Sequence, residues 1–257
     1  MSAVLEVKDL GVSFGDYSIV RNVSFTVNEG EWVILAGPNG AGKSTVVNAV
    51  SKLTDFTGTV LLSGRDIRGI KHTEFARTVS VLSQYHYVSY PFTVREVVSL
   101  GRYSHTKGFL NSSSDEQGEE FIEKAMEETG VSHLADKSVL QLSGGELQRT
   151  FLAQIFAQDP KLLILDEPTN HLDLVYQKQI FELIGRWIKG SGRAVVAVVH
   201  DLSLAKANGT HAVLMNRGEI VTRGPIHEVF SRENLNSVYQ LDVYKWMKEM
   251  YSQWDEQ

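Results

Sequence analysis

Residues 37–45 read Gly37-Pro38-Asn39-Gly40-Ala41-Gly42-Lys43-Ser44-Thr45, a G-x-x-x-x-G-K-S pattern that follows directly on the apolar run Trp32-Val33-Ile34-Leu35-Ala36. No other feature of the chain restricts its possible folds as much. The apolar run delivers the backbone as a strand to a turn where glycines leave room for N–H groups to curl round phosphate oxygens. The helix that follows adds its positive N-terminal end. In such a loop Lys43 reaches the β and γ phosphates, Ser44 sets its hydroxyl on Mg²⁺, and Thr45 lies where a hydroxyl or N–H meets the α phosphate. The expected ligand is a nucleoside triphosphate.

The rest of the composition bounds this reading. A chain of 257 residues with 42% hydrophobic side chains can bury a large core, as one large domain or two small lobes. The longest purely aliphatic stretch, residues 194–199, is far short of a membrane span. Met1-Ser2-Ala3-Val4 begins no charged-then-apolar signal segment, so the chain is expected to be soluble and unexported. It has no cysteine, which excludes disulfides, thiolate catalysis and Cys-ligated metals. A net charge of −6 without a basic stripe gives no reason to expect nucleic acid as a partner.

Short β-branched runs at residues 5–7, 24–27, 32–36, 58–62, 78–82, 162–165 and 194–199 predict strands, followed by two more at 212–215 and 219–222. The last pair is joined by Asn216-Arg217-Gly218, a hairpin-like turn, whereas 162–165 and 194–199 read as fully buried strands of a parallel sheet. Between them Ile180, Ile184, Trp187 and Ile188 recur at helical spacing and predict a crossover helix packed on the core. From about residue 85 to 157 the pattern is helical, at 94–100, 116–128 and 145–157, and predicts a helical insertion in the sheet lobe. Residues 108–118 read as an exposed loop and helix start within it. The tail from about 225 to 257 reads as a helical cap. The fold class expected is α/β, in a single domain over 1–257.

A second phosphate element is Leu162-Leu163-Ile164-Leu165-Asp166-Glu167, an apolar strand ending in two carboxylates that repel each other and so need a reason to be adjacent. With Mg²⁺ nearby, Asp166 binds the metal through water or hydroxyl and Glu167 polarises the water that attacks the γ-phosphorus. A third is Leu142-Ser143-Gly144-Gly145-Glu146-Leu147-Gln148-Arg149. There Ser143, Gly144 and Gly145 open a helix and form an anion site that the chain's own phosphate loop does not need.

With this third element the sequence resembles the nucleotide-binding subunits of ATP-binding cassette (ABC) transporters, and the resemblance covers nearly the whole chain. It implies a P-loop NTPase fold with a RecA-like sheet lobe, an antiparallel β portion and a helical subdomain. It also implies ATP and Mg²⁺ as cofactors, and ATP hydrolysis coupled to transport. By resemblance, Ser143 and its glycines close on the γ-phosphate of ATP held by a second copy of the chain. Gln84 is the glutamine that senses Mg²⁺ and water and joins the lobes, His200 is the switch histidine at the γ-phosphate, and Asp173 faces the partner subunit. Phe14 falls where an aromatic side chain stacks on adenine, with Tyr17 a nearby competitor.

The phrases at 93–103 and 167–174 are similar to those of iron-siderophore, haem and cobalamin importers. The resemblance therefore implies an ATP-sandwich homodimer on the cytoplasmic face of a membrane, peripheral to transmembrane permease subunits and served indirectly by a substrate-binding protein. The second class of function is a soluble cassette ATPase of cofactor assembly, translation or DNA repair. A chain with one cassette argues against the translation factors, which carry two.

Overall fold

The computed structural model describes residues 2–82, 90–105, 116–169, 172–189 and 192–254. The chain divides into two compact units, Met1–Ile67 with Val196–Gln257, and Arg68–Val195.

The first unit opens with β1 (Ala3–Phe14), β2 (Tyr17–Asn28), β3 (Trp32–Ala36), α1 (Lys43–Val50), β4 (Thr57–Leu62) and β5 (Arg65–Asp66). The second unit carries α2 (His72–Thr78), β6 (Val79–Leu82), α3 (Val94–Ser99), α4 (Glu116–Thr129), α5 (Gly144–Gln158), β7 (Leu162–Asp166) and α6 (Leu174–Trp187). The strand β8 (Ala194–Val198) carries the chain back to the first unit. There α7 (Leu202–Asn208), β9 (His211–Asn216), β10 (Glu219–Pro225), α8 (Ile226–Val229), α9 (Arg232–Tyr239) and α10 (Val243–Tyr251) follow.

In the first unit β2, β1, β4 and β5 form an antiparallel sheet in that order. β1 and β2 are each 12 residues long, well beyond the short runs that sequence periodicity marks. The reason is a slip in the pairing. Val7 faces Phe25, Leu10 faces Val23 and Val12 faces Val20, so the buried positions change parity part-way along both strands. Asp9 (φ 51°) and Asn22 (φ 49°) take left-handed backbone at the slip, as bulged strands do, and the alternation that would betray a long strand is broken there.

β3 pairs in parallel with β9, Leu35 opposite Val213, and β9 pairs antiparallel with β10 through the expected hairpin. Asn216 faces Glu219 across Arg217 (φ 48°) and Gly218 (φ 84°), the two left-handed residues of a type I′ turn. All five residues of β3 are buried, so this strand is core on both faces.

In the second unit β6 and β7 run parallel, Val81 opposite Ile164. α6 buries Ile180, Ile184 and Trp187, the stripe read from the sequence, and Trp187 stacks on Phe156 of α5 with centroids 5.6 Å apart. α3, α4 and α5 pack together around Val94, Val98, Ile122, Met126 and Leu152, each side chain contributing about 1.5–3 kcal/mol by its burial. α2 escapes the sequence reading because among its seven residues only Phe75 is buried, too little to make a periodic stripe. Past β10 the chain forms α8, α9 and α10.

Candidate nucleotide site

Gly37, Gly40 and Gly42 all have positive φ, 144°, 78° and 95°. At Gly37 a Cβ would sit 2.2 Å from the Met215 carbonyl oxygen, so a side chain is excluded there by space as well as by conformation, and at Gly42 the positive φ disfavours a side chain whose Cβ would press on Val20 Cγ2 at 3.1 Å. The hairpin turn at Gly218 supports the loop from below, its N–H donating to Ala41 O at 3.1 Å. Gly37 and Ala41 are buried, whereas Asn39, Gly40 and Ser44 face outward, with Pro38 and Thr45 half-buried.

Lys43 is buried and folds back over its own loop, Nζ donating to Gly37 O at 2.8 Å and Pro38 O at 3.0 Å. It opens α1, whose N-cap is Gly42, and no side chain caps that helix end. A helix N-terminus that no side chain caps is a place where an anion can be held.

In the same unit Phe14 and Tyr17 face each other across the β1–β2 turn, 57% and 78% exposed. Both rings stand at one hairpin mouth, which is why spacing alone does not choose between them. His200 lies two residues past the end of β8 and is exposed. Asp201 caps α7 just beyond it, its Oδ1 accepting from Ser203 N at 2.7 Å and Leu204 N at 3.0 Å.

The second unit gathers Ser143, Gly144, Gly145, Asp166, Glu167 and Asp173. Ser143 is the N-cap of α5 in a reciprocal capping box. Its N–H donates to Glu146 Oε2 at 2.8 Å, its hydroxyl donates to the same oxygen at 2.9 Å, and the hydroxyl accepts from Glu146 N at 3.3 Å. These bonds hold the Glu146 carboxyl below the usual carboxylate range, the Ser143 N–H most of all. A Cβ on Gly145 would fall 2.3 Å from the Tyr176 ring, so the signature glycine is there to let α5 meet α6. Asp173 caps α6, accepting from Tyr176 N at 3.0 Å, and Gln148 Nε2 donates to Pro168 O at 2.9 Å. The signature and the segment after β7 are thus tied through Tyr176 and Gln148, two supports that no sequence motif flags.

Asp166 ends β7, and Glu167 follows with φ 54°. Left-handed backbone at a non-glycine residue costs about 1–3 kcal/mol and concentrates at functional positions. Gln84 lies outside the described residues, as do Asn170 and His171 of the 167–174 phrase and most of the 108–118 loop.

With this geometry on hand, the family model described as ABC transporter matches residues 20–170, more than half of the chain. The chain belongs to the ABC transporter family of ATP-binding proteins. The ATP-binding proteins of this family hydrolyse ATP to power transport.

Among similar proteins, the ABC transporter ATP-binding protein YvrA of Bacillus subtilis is 38% identical over 93% of this chain, which spans 54% of YvrA. The iron(3+)-hydroxamate import ATP-binding protein FhuC of Bacillus subtilis is 34% identical over 93% of this chain and 88% of its own length. The hemin import ATP-binding protein HmuV of Bradyrhizobium diazoefficiens is 36% identical over 95% and 91%. In fold, the ATP-binding cassette MJ1267 in its ADP conformation superimposes with a TM-score of 0.82 at 24% identity, covering 93% of this chain and 99% of that one. The ABC ATPase fold, with its parallel strands and helices, accords with the class expected from the sequence. No described helix of this ABC ATP-binding protein is long and apolar enough to cross a membrane.

Proposed function

We propose that this chain is the ATP-hydrolysing subunit of an importer for iron-siderophore, haem or cobalamin, working as a homodimer on the cytoplasmic face of a membrane against transmembrane permease subunits. The observation that carries the import reading is the similarity, over more than nine-tenths of the chain, to FhuC and HmuV, both named import ATP-binding proteins. Exposed Tyr90, Phe92, Leu100 and Tyr103 in the second unit, before and after α3 in the chain, supply apolar side chains suited to a permease loop. A substrate-binding protein would act through the permease, without touching this chain.

In this reading the loop from Gly37 to Thr45 and the uncapped start of α1 bind the triphosphate, with Lys43 exchanging its loop carbonyls for phosphate oxygens. Phe14 covers the adenine. Glu167, held in left-handed backbone, directs its carboxylate at the attacking water, and His200 contacts the γ-phosphate. Ser143, Gly144 and Gly145 offer a helix N-terminus to the nucleotide of the other copy, and Asp173 lies near the seam.

The described residues hold no cluster of three His, Asp or Glu side chains able to bind a metal by themselves. That fits an ion such as Mg²⁺, which keeps waters and takes most of its ligands from nucleotide phosphates. Ser44 and Asp166, with Gln84, are the residues assigned to hold it, and when bound it neutralises charge developing on the phosphates.

Solubilised native membranes test the import reading by co-purification. A multi-span permease recovered with this chain supports it, and recovery only with ribosomes or soluble assembly proteins overturns it in favour of a soluble cassette ATPase. The shared site is tested by mixing Lys43→Ala and Ser143→Arg chains, each nearly inactive alone. One intact composite site should form, so hydrolysis should return in part. No gain on mixing overturns the sandwich.

A further inference from the structure

In the second unit a pocket of about 330 Å³ opens where the end of α4, the last turns of α5 and α6 and the segment before β8 meet. That volume falls in the range of small-molecule sites. Its apolar lining is Phe156, Leu183 and Trp187, all buried, and its charged lining is Arg186, Lys189 and Arg193 against one carboxylate, Glu128. Glu128 itself has Lys124 3.9 Å away on α4, so the balance of charge around the pocket is positive.

The ordinary uses of basic residues at this place are met by other groups. Glu182, the carboxylate one turn before Arg186, lies 3.8 Å from Lys178 on its other side, so Arg186 has no intrahelical partner. Neither Arg186 nor Lys189 takes part in an ion pair among the described residues. The negative end of α6 is met by Arg193, whose Nη1 donates to Trp187 O at 3.1 Å.

Arg193 is also fixed in orientation. Its Nη2 donates to Asp159 Oδ1, and its guanidinium lies 4.6 Å from the centroid of the Trp187 ring, which stacks on Phe156 at 5.6 Å. These contacts hold the plane of the fork and leave further N–H donors for an acceptor. A fork held before binding loses little entropy when it meets an anion, and the exposed Arg186 and Lys189 add charge on the open side.

The pocket lies away from the nucleotide elements of its own unit. Asp159 and Arg193 precede β7 and β8, whereas Asp166 ends β7, and the five residues of that strand, at about 3.3 Å each, separate the two ends by about 15 Å. Phe156 stands near the end of α5 and Ser143 at its start, about 20 Å apart at 1.5 Å per residue.

We propose that this pocket is a second anion site, for a small phosphorylated molecule with an apolar body. The phosphate meets Arg193, Arg186 and Lys189, and the body covers Phe156 and Leu183. A phosphate suits three converging cations better than a carboxylate does, because its terminal oxygens can serve one guanidinium fork and two further charges together. The inference is independent of what the loop from Gly37 to Thr45 binds.

The test uses the full chain and 1-naphthyl phosphate as probe, with inorganic phosphate and 1-naphthol as its two halves, by isothermal titration calorimetry. The probe should bind with a Kd below about 1 mM and more tightly than either half. Exposed cations are worth about two- to fivefold each, so Arg186→Gln with Lys189→Gln should raise the Kd about tenfold. Both side chains are exposed, and the melting temperature of this double variant should stay within about 2 °C of the parent. Arg193→Lys, which keeps the charge and loses the fork, should also raise the Kd. Lys43→Ala should leave it within about twofold of the parent.

No saturable binding by the parent at about 10 mM probe, or a double variant within about twofold of the parent, overturns the proposal. Binding lost in Lys43→Ala and kept in the double variant places the probe in the phosphate loop and overturns it as well. Naphthol bound as tightly as its phosphate ester reduces the pocket to an apolar surface with no anion site.

Discussion

Ser143 has two possible tasks, to cap its own helix and to reach a nucleotide on another copy, and the capping box allows them to be separated. Ser143→Ala removes the hydroxyl that accepts from Glu146 N. Glu146→Ala removes the carboxylate that ties Ser143 N and Oγ but leaves the hydroxyl in place. Either change costs about 1 kcal/mol of helix capping, which in a chain of this size lowers the melting temperature by about 2–4 °C. As caps the two are equivalent.

As ligands they are not. A hydrogen-bond donor aimed at charge that develops in the transition state is worth about 10²–10³ in kcat. Ser143→Ala should therefore lose at least tenfold more turnover than Glu146→Ala at matched stability, read from phosphate release at saturating ATP alongside differential scanning calorimetry. If both variants lose turnover by the same factor, within about twofold, Ser143 is a helix cap and nothing more.

The pH dependence follows from the depressed Glu146 carboxyl. A folded-state value below the unfolded one gives stability that is present above the ordinary carboxylate range near 4.3 and is lost as pH falls through the folded value. The melting-temperature gap between parent and Glu146→Ala should thus be flat from about pH 7 to 5 and should close on acidification below about pH 4. A gap that persists unchanged at low pH would refute the ionic part of the box.

Glu167→Gln should keep ATP binding but lose most turnover, trapping an ATP-bound dimer by size measurement; near-normal hydrolysis would remove Glu167 from the base role. Phe14→Ala should weaken ATP binding by about 1–3 kcal/mol, by analogy with stacking on nucleic-acid bases. Binding weakened by Tyr17→Ala in its place would reassign the adenine to the other ring of the hairpin. Gly145→Ala, which drives a Cβ to 2.3 Å from the Tyr176 ring, should cost about 1–3 kcal/mol in a urea melt by overpacking. Tyr176→Ala in the same chain should recover most of that difference, and no recovery would mean the glycine is needed for another reason.

Several elements could be read from the sequence because their causes are short-range. The phosphate loop needs left-handed backbone at Gly37, Gly40 and Gly42, three positions within six residues, and glycine declares that need directly. The capping box is spelled by Ser143 and Glu146, three apart, and the crossover helix by apolar residues three and four apart on α6. The hairpin at Arg217 and Gly218 is likewise local. The assignment of the chain to its family rests on these pieces and their order.

What only the tertiary structure decided lies where distant segments choose each other. The full lengths of β1 and β2 depend on a slipped pairing that moves the buried set from Val7 to Leu10, and no periodicity survives such a slip. The near equivalence of Phe14 and Tyr17 comes from the turn that sets them opposite one another. Gly145 is a turn-like glycine in sequence, but it is the Tyr176 ring, 31 residues on, that forbids it a side chain. Tyr251 meets Ser203 across 48 residues of chain. Local backbone preference and short-period burial are written residue by residue, so sequence by itself determined the phosphate loop, the hairpin turn and the buried stripe of the crossover helix. Long-range contacts depend on register and packing summed over the whole core, and only the folded chain selects them.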